Sequence, residues 1–224
     1  MRGKVVGLLV FASVFSGCAF EVEYVPDYVP IVAPTYLAET QLVVLMGDED
    51  ARYDYEGRPE SFVGQAITLT IPIGAIMREI IASVFRSHFN YGVLFTQRPE
   101  PDLRYIVAIE PEIRDFSYRY DRVTEPGVLE MRATDDGYEA VPVTIITPSI
   151  QFELALKVFN ASGQIVMEKV YPSGLVAGES YVVTSRPHER INATFHAALQ
   201  QIMLTVASDI RPLLAAQPNL LDPE

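Results

Sequence analysis

The stretch Ile150-Gln-Phe-Glu-Leu-Ala-Leu-Lys-Val158 decides how this 224-residue chain is built. Ile150, Phe152, Leu154, Leu156 and Val158 fall at every second position, with Gln151, Glu153 and Lys157 among the residues between them. Alternate side chains of a strand point to opposite faces, so this pattern describes one buried face and one wet face. Asn160 to Gln164 then turns the chain into a second strand, Ile165 to Tyr171. Upstream, Leu103, Tyr105, Val107, Ile109 and Ile113 line one face of another long strand. Pro111 interrupts it, which argues for a sheet edge or a bulge there, because proline brings no N–H to a ladder. Residues 121–148 read as an inserted hairpin that turns at Asp135-Asp136-Gly137.

Working outward, Leu37 to Met46 carries the run LVVLM and predicts a first strand, and Ser61 to Ile71 a second. Pro72 opens a helix to about His88, on which Ile73, Ile76, Met77, Ile80, Ile81 and Val84 repeat at three- and four-residue spacing. Tyr91 to Thr96 begins another strand, and a loop runs from Ser173 to Ser185. A last helix, near His188 to Ile210, carries Ile191, Phe195, Leu199, Ile202, Met203 and Val206 on one stripe; Pro212 is expected to end it. The fold class expected is α+β: an antiparallel twisted sheet with two helices packed on one face. Ile80 and Leu199 should then be buried, and Arg78 and Glu79 exposed.

The N-terminus speaks about location. Arg2 and Lys4 precede the apolar run Val5 to Phe15, and the small residues Ser16-Gly17 precede Cys18, the only cysteine. That order describes a secretory signal. An apolar run of this length is too short to cross a bilayer, which takes about 20 residues. A cysteine directly after the cleavage site resembles the bacterial lipoprotein signal, in which diacylglycerol joins the thiol and Cys18 becomes the first residue. Phe15 stands where that signal usually has Leu, and an ordinary signal with an incidental cysteine is the alternative. The division expected is a signal peptide over 1–17, a lipidated Pro/Tyr-rich tether over 18–36, a single domain over 37–212 and a tail over 213–224. Pro26, Pro30 and Pro34 stiffen the tether, which at ~3.1 Å per residue reaches roughly 50 Å. Tyr24, Tyr28 and Tyr36 within it are candidate partner contacts, since tyrosine buries large area at modest entropic cost.

Composition closes several classes. Seventeen basic and 29 acidic residues give −12, and removal of Arg2 and Lys4 makes the remainder −14. Such a body repels nucleic acid, so no nucleic-acid partner is expected. With Cys18 acylated, no thiol remains for disulfides or thiolate metal sites. No metal or cofactor is expected: His188 and His196 are two helical turns apart, and His88 suits a helix C-terminus. The acidic stretch 47–57 lacks the spacing of a calcium loop and reads as solvated. Neither a Gly-x-Ser-x-Gly elbow nor a phosphate-cradling glycine loop is present, so no enzyme is expected.

These features together resemble small Gram-negative envelope lipoproteins, with a layout like the YajG-type lipoproteins and, more distantly, the auxiliary outer-membrane lipoproteins of lipid-transport systems. The residues that carry the resemblance are Cys18, the helix Pro72 to His88, the long strands Leu103 to Tyr120 and Ile150 to Tyr171, and Asn192-Ala193 leading into the last helix. The resemblance implies a lipid-anchored protein of the outer membrane, facing the periplasm, that serves as a non-catalytic accessory or structural subunit. It carries over no site residue except Cys18. The alternative is a carrier with an apolar groove between helices and sheet that holds a lipid or acyl chain. The expected partners are the membrane, through Cys18, and an envelope protein.

Overall fold

A computed structural model describes residues 18–21, 38–98, 105–135, 137–182 and 187–215. The elements follow in the order β1 (Cys18–Glu21), β2 (Leu42–Leu45), α1 (Asp48–Ala51), β3 (Tyr55–Gly57), β4 (Ile67–Ile71), α2 (Ile73–Arg86) and β5 (Val93–Thr96). After these come β6 (Val107–Thr134), β7 (Gly137–Asn160), β8 (Ile165–Pro172), β9 (Val176–Ala177), β10 (Tyr181–Val182) and α3 (Pro187–Ala215).

The main sheet has the order β10-β7-β6-β2-β5, with β8 and β9 also paired to β7. This corrects the expected antiparallel sheet. Strand β2 runs parallel to both β5 and β6, so the sheet is mixed. The reason lies in the connections: helix α2 stands between β2 and β5 and returns the chain to run in the same direction, which no tight turn can do. Burial agrees, because Leu42, Val43 and Val44 are each fully buried, as in a central strand covered on both faces. Two further features were not in the sequence reading. A short third helix, α1, lies inside the acidic stretch, and β1, β4 and β3 form a separate small sheet in that order.

The expected alternation in β7 holds the core together. Ile150, Phe152, Leu154, Leu156 and Val158 are 0–1% exposed and join one cluster with Ile80 and Ile81 of α2 and Phe195 and Leu199 of α3. Each such side chain contributes about 1.5–3 kcal/mol on leaving water. Arg78 is exposed, whereas Glu79 is half-buried. Pro111 sits where β6 loses its β2 neighbour, since that pairing stops at Ile109; a bulge follows between Arg114 and Ser117.

Local expectations moved in three places. β4 begins only at Ile67, because Gly64 takes a positive φ of 85° within a turn. The stretch after Ser173 holds β9 and β10, which follow β8 along the same edge of β7. Helix α3 runs past Pro212 to Ala215. A proline so near a C-terminus removes little of the ladder, and Leu214, 7% exposed, has core to reach.

Strand β8 is tied to α3 by polar contacts. Lys169 Nζ donates to Asp209 Oδ2 at 2.7 Å and the Tyr171 hydroxyl donates to the same oxygen at 2.8 Å. Together they hold the Asp209 carboxyl below its ordinary range. A depressed carboxylate contributes stability above its unfolded pKa of about 3.9 and loses it as pH falls through the folded value. Asp209→Asn should therefore lower stability at pH 7 by roughly 0.5–1 kcal/mol, the modest size following from the half-exposed Lys169. In thermal melts the gap between the two proteins should be constant down to about pH 5 and close below about pH 3. A gap independent of pH would refute this linkage.

Candidate functional site

Polar chemistry is dispersed. His88 closes α2, its Nδ1 lying 2.8 Å from the Val84 carbonyl oxygen, while His196 is buried in α3. Among the described residues, no group of three or more His, Cys, Asp and Glu could hold a metal ion. In the acidic stretch, Asp50 Oδ2 instead accepts the Gly47 N–H at 2.8 Å, at the start of α1. A cleft of about 590 Å³ between α1, α2 and β5 is lined by Asp48, Arg52, Arg78, Glu79, Arg86 and Phe95. Arg78 lies 4.8 Å from the Phe95 ring centre, so part of this lining is a cation–π contact.

Where α3 meets the long strands, aromatic side chains pack closely. Phe195 lies 5.0 Å from Phe152 and 5.3 Å from Phe116, ring centre to ring centre and edge-on in both cases. Tyr118 and Tyr120 continue the aromatic row along β6. Burial raises both hydroxyls well above the ordinary tyrosine value and pushes Tyr181 up to about 12. These groups stay protonated at neutral pH. The Tyr118 hydroxyl accordingly donates to the Gly57 carbonyl at 2.9 Å.

That hydrogen bond belongs to the contact that positions Cys18. Residues 57–64 run beside the part of β6 that β2 leaves uncovered. The Glu60 N–H donates to the Tyr118 carbonyl at 2.9 Å, and the Tyr120 N–H donates to Ser61 Oγ at 2.9 Å. The small sheet is thereby fastened to β6. Cys18 pairs with Ile67, whose N–H donates to the Gly64 carbonyl at 2.8 Å. Gly64 packs on the Tyr120 ring so closely that a Cβ there would stand 3.2 Å from Cδ2. The cysteine thus begins β1 at the end of the small sheet that meets Tyr120. Tyr24, Tyr28 and Tyr36 lie outside the described residues.

Strand β10 still flanks β7 at Ile145 and Ile146, opposite Val123 and Arg122; beyond Val123, β6 and β7 continue as a two-stranded ribbon to a tip at Thr134 and Gly137. Residues 121–124, 129, 131 and 133–135 are all exposed. Leu129 pairs with Pro142, Met131 with Ala140 and Ala133 with Tyr138, and paired residues share a face. One face of the ribbon is therefore apolar and open to solvent, with Leu129 59%, Met131 66% and Tyr138 76% exposed. Sequence reasoning located a hairpin but missed this face. The signal was in the alternation of Leu129, Met131 and Ala133, and it needed the register across the turn to be read.

No helix among the described residues is long and apolar enough to cross a membrane. No protein-family model and no curated protein matches the chain. Among solved structures, it is similar to a protein described as a neuraminyllactose-binding hemagglutinin homolog from Helicobacter pylori. That match has a TM-score of 0.40 and 13% identity over 84% of this chain and 92% of the other. It is also similar to a minor lipoprotein from Acinetobacter baumannii, with a TM-score of 0.33 and 8% identity over 76% of this chain and 94% of that one. At these similarities the reading of function rests on the chain's own residues.

Proposed function

We propose that this chain is a lipid-anchored protein of the bacterial envelope, held by acylated Cys18 in the outer membrane and facing the periplasm. There it acts as a non-catalytic accessory or structural subunit of an envelope complex. The observation that carries the reading is the order of residues 2–18: a short positive start, an apolar run, two small residues and the only cysteine. Ala19 follows the cysteine, which fits delivery to the outer membrane. The tether tyrosines Tyr24, Tyr28 and Tyr36 are the proposed contacts to the envelope partner.

The test is covalent. Cys18→Ala should abolish incorporation of labelled palmitate and move the protein from the membrane to the soluble fraction. Labelling that survives the substitution would overturn the anchor, and recovery of the parent protein in inner-membrane fractions would overturn the placement.

A further inference from the structure

The apolar face of the β6–β7 ribbon has no cover among the described residues, and two-stranded ribbons are marginal in water on their own. Something should lie against it. We propose that this face rests on the surface of the membrane in which Cys18 is anchored, with Leu129, Met131 and Tyr138 sunk to the boundary between headgroups and acyl chains; the inference rests on the anchor reading above.

Three observations converge on a lipid surface. First, the anchor lies near the base of the ribbon, because Cys18 pairs with Ile67 beside the Gly64–Tyr120 contact and the two-stranded ribbon begins a few residues along the same strand, after Val123. Second, Phe62, 90% exposed, sits on the loop bonded to that same base, one residue after Ser61. An anchored chain brings these apolar groups near lipid without further cost in translational freedom. Third, Asp121, Glu125, Glu130, Asp135, Asp136 and Glu139 stand against Arg122 and Arg132, so residues 121–144 carry 2 minus 6, or −4. That charge opposes a second copy of the same ribbon and an anionic bilayer, and it leaves a zwitterionic surface as the fitting one. The unpaired strand edges set the depth. They need water for their backbone groups, so the ribbon lies in the interface and does not enter the hydrocarbon.

The protein contains no tryptophan, which gives a clean optical test. Full-length lipoprotein carrying Met131→Trp is placed in phosphatidylcholine vesicles whose acyl chains are brominated near the headgroup. Its fluorescence should be quenched roughly two-fold or more relative to unbrominated vesicles, with a blue-shifted maximum. Leu129→Trp, on the same face, should behave alike. Glu139→Trp, one position along from Tyr138 and therefore on the opposite face, should remain unquenched. All three sites are exposed, so the parent melting temperature serves as the folding control. Flotation separates the two readings. A chain that floats with the vesicles while both faces stay equally wet overturns the ribbon proposal and leaves the anchor standing. A chain that does not float overturns both. A blue shift at Met131→Trp without bromine quenching, together with cross-linking between copies, assigns the face to protein and overturns the lipid surface.

Discussion

Replacing Phe195 by alanine will cost about 3–5 kcal/mol of stability, a large part of what a domain of this size possesses. The ring is fully buried and stands edge-on to both Phe152 of β7 and Phe116 of β6. Its removal opens a cavity where α3 meets the long strands, and the neighbours are held by their own strands and cannot close in. Each edge-on pair adds ~0.5–1.5 kcal/mol beyond the area term. Phe195→Leu keeps most of the volume and should lose much less. Urea unfolding of the three proteins measures the difference. A loss under about 1 kcal/mol for alanine would mean that α3 does not dock on the sheet at this point.

Gly74→Ala is the second large effect, and here two terms have opposite signs. Gly74 lies in the first turn of α2, where alanine would ordinarily favour the helix by up to about 1 kcal/mol. A Cβ at that position would stand 2.1 Å from the Asp50 carbonyl oxygen and 2.9 Å from both Ala51 C and Tyr53 N. These are backbone atoms, so no rotamer change relieves the clash. The Gly74 N–H also donates to the Tyr53 carbonyl at 2.8 Å, which holds the two segments together. Overpacking should win, with a net loss of ~1–3 kcal/mol and a lower melting temperature. A variant as stable as the parent, or more so, would show that the α1 segment is free to move off α2.

Elements whose pattern is local were legible in the sequence. The alternation from Ile150 to Val158 required a half-buried strand whatever lay beside it, and the stripe from Ile73 to Val84 required a helix with one buried face. The hairpin tip beside Gly137 and the free edge of β6 at Pro111 also follow from backbone chemistry alone. The proposed signal and lipidation of Cys18 rest on a pattern that is local in the same sense, as one short segment carries charge, apolar run and cysteine in order.

Pairing partners were not legible. Leu42 to Leu45 is apolar at every position, so it announces a buried strand without a direction; the α2 crossover made it parallel to β5 and β6. Val176-Ala177 and Tyr181-Val182 are too short to show a period, and they are strands only because β7 offers them an edge. Pro212 costs α3 one hydrogen bond, and at a helix end the burial of Leu214 outweighs that loss. The ribbon face is the sharpest case. Leu129, Met131 and Ala133 alternate on one strand and Tyr138, Ala140 and Pro142 on the other, but only the cross-strand register puts all six on one side. A one-residue slip would have divided them between two faces. Composition and period belong to the sequence, while register and contact between distant segments arise only when the chain closes on itself.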